Sequence, residues 1–176
     1  MVIEEMTRDD CFHALARARL GRLACARDNQ PYVIPFYFAF REPYLYAFTT
    51  FGQKVEWMRE NPLVCVEVDE VDQFDRWTSV IIFGRYEELR DTPEQEQERH
   101  RALGLRGRTA GMSQAGSSER GRERQYAHNL LQQYAGWWET GHASHTCREP
   151  AQSFTPIFYR ILIDRISGRR AMPDVA

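Results

Sequence analysis

The segment 49–54, which reads Thr-Thr-Phe-Gly-Gln-Lys, combines groups that bind a phosphate. Thr50 and Gln53 have the spacing of a capping box, so we expect a helix that begins here with free backbone N–H groups. Such a helix start attracts anions, while hydroxyls and an ammonium group add donors and a glycine permits close approach. Lys54 is the single lysine among 23 basic residues. The segment predicts a phosphate site, the alternative being an ordinary capped helix with a surface lysine.

Other patterns carry less chemistry. The G-x-x-x-x-G-K-[ST] spacing is absent, which argues against nucleoside triphosphate chemistry. His142, His145 and Cys147 have types that bind zinc, but no fourth ligand is evident, so we predict no metal and a surface loop there. The acidic run 67–75 is typical of the polar face of a strand. No Ser/His/Asp or Cys/His signature is visible, so we assign no general acid or base.

The elements around the segment 49–54 are mostly strands. Thr7 and Asp10 predict a capped helix over residues 7–18. Two apolar runs joined by a turn at residues 27–30 predict a hairpin, in which Pro35 requires an edge position or a bulge. Strands are also predicted at 45–49, 63–71, 79–89 and 155–166. A short helix is predicted to end at Glu60, and a further helix is predicted over 125–138, after a glycine-rich mobile loop over 104–124.

These elements predict a single mainly β (α+β) domain spanning residues 1–176, with a helical and mobile insertion at about 91–150. About six largely antiparallel strands, with an N-terminal helix and a short crossover helix, favour a small barrel over a parallel sheet. A net charge of −2 gives no general case for nucleic acid or a membrane. Dispersed cysteines and the lack of a signal or membrane-spanning pattern predict a cytoplasmic protein.

The order of three runs is similar to a known family. They are GRLACARDNQPYVIPFYFAF (21–40), YAFTTFGQKVEWMRENPLVCVEVDEV (46–71) and WTSVIIFGRYEEL (77–89). Together they resemble the pyridoxamine 5′-phosphate oxidase-like, FMN-binding split β-barrel family. The stretches 137–143 and 157–169 look like its nitroimidazole-resistance-type branch. Members near that branch often have a histidine–serine pair where this chain has Phe48 and Thr49, so chemistry assigned to that histidine cannot be carried over.

The resemblance implies a site for FMN between two subunits of a homodimer. It implies that the phosphate is held by Thr49, Thr50, Gln53 and Lys54. The strand before them is expected to face the isoalloxazine ring, and a later strand to line the ring or the ribityl chain. The residues concerned are Ile34, Pro35, Phe36 and Tyr37 in the first strand, and Trp77, Ser79 and Val80 in the second. Core packing is the alternative for half of the aromatic strand, because strand faces alternate.

The function implied is an FMN-dependent oxidoreductase that passes electrons from NAD(P)H to a small organic acceptor. Three alternatives remain open: a non-catalytic flavin-binding or sensing module, a split barrel that binds the deazaflavin F420, and one that binds haem. The aromatic strand is compatible with any of these planar ligands.

Overall fold

The computed structural model describes residues 1–90, 117–134 and 156–174. Most of the insertion predicted at about 91–150 and the candidate metal ligands His142, His145 and Cys147 lie outside these ranges. In chain order the elements are β1 (Val2–Glu5), α1 (Arg8–Arg17), β2 (Leu20–Arg27), β3 (Gln30–Tyr37), β4 (Ala39–Arg41), β5 (Tyr44–Thr49), α2 (Gln53–Glu60), β6 (Leu63–Gln73), β7 (Arg76–Leu89), α3 (Ser117–Gln132) and β8 (Ile157–Met172).

The strands form one antiparallel sheet in the order β3-β2-β6-β7-β8-β5-β4, and β1 pairs with the end of β8. The two strands at the ends of this order, β3 and β4, are separated in the chain only by Phe38. The sheet must therefore curl until its ends meet. This arrangement is a split β-barrel of the α+β class, as the sequence predicts.

The hairpin of β2 and β3 forms as predicted. Asp28 and Asn29 have positive φ angles of 51° and 62°, the backbone twist that a two-residue hairpin turn needs. Pro35 lies on β3, a terminal strand of the sheet, where a missing backbone donor is tolerated. The turn residues thus specify the hairpin, and the proline is compatible with the edge position of β3.

The capping prediction is confirmed for α1 and wrong for α2. The Thr7 hydroxyl accepts from the Asp10 N–H at 3.1 Å, and the Asp10 carboxylate accepts from the Thr7 N–H. At α2 the cap residue is Gly52, and no side chain bonds to the helix start. The Thr50–Gln53 pair fails because the helix begins at Gln53 itself, so Thr50 lies two residues before the cap.

Two apolar cores hold the fold together. The barrel interior contains most of the buried side chains, among them Leu15 of α1 and Met58 of α2. A second cluster lies on the outer face, where Leu130 and Leu131 of α3 pack near Phe158 of β8. None of the described helices is long and apolar enough to cross a membrane.

The helix α3 begins earlier than the sequence indicates. The glycine-rich stretch 104–124 is predicted to be a mobile loop, but residues 117–124 belong to α3. Arg160 of β8 contributes to this, since its guanidinium donates to Glu123 on α3 at 2.7 Å and to Glu87 on β7 at 2.6 Å. Tertiary packing and ion pairing thus extend a helix that local composition disfavours. The short strand β1 is likewise absent from the sequence prediction, and the second apolar run of the hairpin, predicted as one strand through Phe40, is divided at Phe38 into β3 and β4.

Candidate functional site

The predicted phosphate segment, residues 49–54, joins β5 to α2 at one end of the barrel. The Gly52 carbonyl accepts from the N–H groups of Val55 and Glu56 at 2.9 and 3.2 Å. The N–H groups of Gln53 and Lys54, at the first helical positions, make no hydrogen bond to the part of the chain that the structure describes. A Cβ at residue 52 would meet no atom within 4 Å. The helix start therefore offers backbone donors and space for a ligand to approach them.

Lys54 is a half-buried cation beside this helix start. Burial lowers the pKa of its ammonium group, and interaction with the Cys25 thiol partly opposes that shift. Within the described ranges its ammonium has no hydrogen bond and no acidic partner, whereas many of the arginines there are paired with carboxylates. Removing an ammonium from water without a partner costs free energy. The cost is offset if an anionic ligand lies there.

The other members of the segment differ in what they can offer. Thr49 is buried, and its hydroxyl donates to the Thr50 carbonyl at 3.2 Å. Thr50 is half-buried and Gln53 is exposed. The structure thus brings the four predicted phosphate residues to one helix start, but the Thr49 donor is already engaged.

Trp77 and Ser79 line a different part of the molecule. A cleft of about 510 Å³ lies between the end of β1, β7 and β8, and both side chains are half-buried in its wall. We call it the β7 cleft. Its other lining residues are Glu5, Met6, Ile81, Ile166, Ser167, Gly168 and Arg169. Val80 is fully buried on the opposite face of the strand, so only its main chain is available to a ligand in the cleft.

The predicted ring-facing strand is divided between the two faces of the sheet. Phe36 belongs to the barrel core and stacks on Phe38 with 5.4 Å between ring centroids, and Ile34 packs against the same core. Pro35 and Tyr37 are exposed. The alternation expected from strand geometry therefore leaves Pro35 and Tyr37 as the outward-facing candidates.

A single chain does not bring the two predicted sets of residues side by side. Lys54 interacts with Cys25 of β2, whose side chain lies in the barrel core. The neighbouring residue Ala24 pairs with Cys65 of β6, and Cys65 pairs with Phe83 of β7, so Phe83 marks the level of Lys54 on β7. Ser79 lies four residues before Phe83 in β7, which corresponds to about 13 Å between these two residues at the rise of a strand, and it faces outward. The phosphate segment and the β7 cleft are thus separate in one protomer.

Sequence reasoning missed several polar residues of the β7 cleft and its border. Arg169 pairs in register with Ser79, and Glu5 lies opposite it on β1. Glu67 accepts a hydrogen bond from the Ser79 hydroxyl at 3.5 Å, and burial and the nearby Asp69 raise the pKa of its carboxyl group. The position of Glu67 could have been predicted, because the alternation of buried and exposed residues in β6 and β7 places both Glu67 and Ser79 on the outer face. The place of Glu5 depends on strand β1, which the sequence pattern did not predict.

The chain is similar to known proteins over most of its length. Residues 7–121 match the family model described as pyridoxamine 5′-phosphate oxidase. An uncharacterized protein of Rhizobium meliloti is 33% identical over 171 residues, which cover 97% of each chain. The crystal structure of an FAD-binding protein from Mesorhizobium loti is 37% identical with a TM-score of 0.67, and the match covers 98% of this chain and 100% of that one.

A more distant structure shares the fold. It is a protein from Bacteroides thetaiotaomicron ascribed to 5-nitroimidazole antibiotic resistance, 12% identical with a TM-score of 0.51, over 97% of this chain and 89% of that one. The family match covers most of the described barrel. The chain therefore belongs to the pyridoxamine 5′-phosphate oxidase family.

Proposed function

We propose that this chain binds a flavin through its phosphate at the start of α2. The observation that carries the proposal is Lys54, a half-buried ammonium group that has no acidic partner in the described parts of the chain and lies beside uncapped N–H groups. Both features favour a bound anion. The family membership and the FAD-binding relative at 37% identity indicate which anion this is. FMN is the sequence prediction, and FAD contains the same phosphate.

The proposed assembly is a homodimer that completes the flavin site. The phosphate segment and the β7 cleft are apart in one protomer. A flavin that contacts both would therefore bind between two protomers, with the phosphate segment of one and the β7 cleft of the other. The outer sheet face exposes apolar side chains, including Val33, Val71 and Phe83. An antiparallel sheet face of this kind is stabilised by a second copy related by a two-fold axis.

The proposed activity is electron transfer from NAD(P)H to a small organic acceptor. A bound flavin supplies the redox chemistry, while the protein binds and orients it. In this chain Lys54 and the N–H groups of Gln53 and Lys54 would hold the phosphate. Trp77 and Ser79 would border the ring or ribityl chain, and we assign no proton-transfer residue.

The test is the absorption spectrum of the freshly purified protein, followed by anaerobic addition of NADH or NADPH. We expect an oxidised-flavin band that bleaches on addition of the nicotinamide and returns with a quinone or a nitroaromatic compound. A Soret band would indicate haem instead. A colourless protein that takes up neither FMN nor FAD would contradict flavin binding, and a bound flavin that is not reduced would contradict the activity alone.

The affinity for FMN is expected to fall at alkaline pH. A phosphate favours the charged form of Lys54, and burial lowers the pKa of that ammonium group in the free protein. Binding is therefore strongest below this lowered pKa and weakens as the pH rises through it, earlier than for an ordinary lysine. The phosphate itself is mostly dianionic above about pH 7. Titration of the apo-protein with FMN across neutral and alkaline pH measures the effect.

The control for the pH effect is Lys54→Arg, which keeps its charge throughout this range. Any alkaline weakening that comes from the flavin ring is common to both proteins. An identical pH profile for the variant and the parent would show that Lys54 does not hold the phosphate.

A further inference from the structure

Phe51 is an exposed aromatic residue inside the phosphate segment. Its side chain is 61% exposed, although it lies between Thr50 and Gly52 and three residues from Lys54. The space beside Gly52 is open, since a Cβ there would meet no atom within 4 Å. No side chain from another part of the described chain therefore covers the Cβ side of Gly52, between Phe51 and Lys54.

The Phe51 ring is supported from one side by a fixed cation. The Arg59 guanidinium of α2 lies 5.6 Å from the ring centroid. It is held by two hydrogen bonds to the Glu88 carboxylate, at 2.8 and 2.9 Å, and that carboxylate also accepts from the Tyr86 hydroxyl at 3.1 Å. Because Arg59 is held in this way, the aromatic ring has a defined partner while most of its surface is exposed to solvent.

We propose that Phe51 is a stacking surface for the adenine ring of a flavin dinucleotide, so that the site prefers FAD to FMN. This inference rests on the proposed function, because it requires the flavin phosphate to lie at Lys54. Aromatic side chains stack nucleobases through their π faces. The Arg59 guanidinium, 5.6 Å from the ring centroid, is attracted to the ring and helps to hold it in place. In this arrangement an adenosine moiety attached at the phosphate would extend past Gly52 toward Phe51, and a mononucleotide lacks that moiety.

The experiment compares the affinities of the apo-protein for FAD and FMN by flavin fluorescence titration. The parent is expected to bind FAD more tightly than FMN, and Phe51→Ala to lose about tenfold in FAD affinity, as for loss of one base–aromatic stack, with FMN affinity unchanged. Lys54→Met is expected to weaken both ligands, because both carry the phosphate.

The matched control is Phe74→Ala, which removes another exposed phenylalanine, 87% exposed in the turn between β6 and β7. It is expected to change neither affinity. The inference is overturned if Phe51→Ala leaves FAD binding unchanged or lowers the FAD and FMN affinities equally. If the parent binds neither flavin, the proposed function itself fails. If it binds both with equal affinity, only the preference for FAD fails.

Discussion

Lys54→Met is expected to weaken FMN binding while leaving the apo-protein at least as stable as the parent. Loss of one charge-assisted hydrogen bond to a phosphate corresponds to about 1–3 kcal/mol, or roughly five- to 150-fold in the dissociation constant. Methionine keeps most of the side-chain length, so the packing beside Cys25 is retained. The variant removes a half-buried ammonium group that has no hydrogen bond and no carboxylate partner among the described residues, which is why folding does not suffer.

The measurements are a fluorescence titration with FMN and the thermal unfolding midpoint, Tm, of the apo-protein. Arg41→Ala is a suitable control, since it also removes one positive charge, from an exposed residue outside the segment 49–54. Lys54→Ala should show the same loss of affinity. If Lys54→Met binds FMN as tightly as the parent does, Lys54 does not hold the phosphate, although the fold assignment would stand.

Gly84→Ala is expected to destabilise the protein by about 3 kcal/mol or more, because the barrel has no room for a methyl group at that position. A Cβ at residue 84 would overlap the backbone oxygen of Leu162 and lie 2.8 Å from Ile161 Cγ2. The register of β7 and β8 shifts between Phe83 and Gly84, so the backbones meet there in an irregular pair. The backbone oxygen cannot move aside as the end of a flexible side chain could.

Chemical denaturation of the two proteins measures this difference in unfolding free energy. Gly52→Ala provides the same substitution where the structure has open space and an extended backbone, so its effect on stability is expected to be small. Equal losses for the two variants would contradict the packing argument. A loss of stability in Gly84→Ala alone would support the close pairing of β7 and β8 at the register shift between Phe83 and Gly84.

Local signals account for the parts of the fold that were predicted correctly. The Thr7–Asp10 box determines where α1 begins, because both of its hydrogen bonds lie within four residues. Asp28 and Asn29 tolerate positive φ, so the hairpin turn is specified by the turn residues themselves. Pro35 restricts its strand to a sheet edge for the equally local reason that it lacks a donor.

Long-range contacts account for the elements that were missed. The four-residue strand β1 is largely exposed and pairs with β8 at the opposite end of the chain, so no local pattern marks it. The first turns of α3 contain Gly121 and several arginines and look unstructured by composition. They form a helix in the structure, where Glu123 binds Arg160 and the later residues Leu130 and Leu131 pack against the sheet.

The amino-acid sequence by itself determined the class of fold and the family, since both follow from the order of its strand, turn and helix patterns. It also marked the segment 49–54, which we propose as the phosphate site, through residue types at short spacing. The tertiary structure decided what Lys54 can do. Whether a cation is buried and whether an acid lies within reach depend on side chains from distant strands. Those contacts leave Lys54 half-buried without an acidic partner among the described residues, beside a helix start that Gly52 caps without a side-chain bond. The anion that we propose would be stabilised there, because burial strengthens its attraction to the ammonium group.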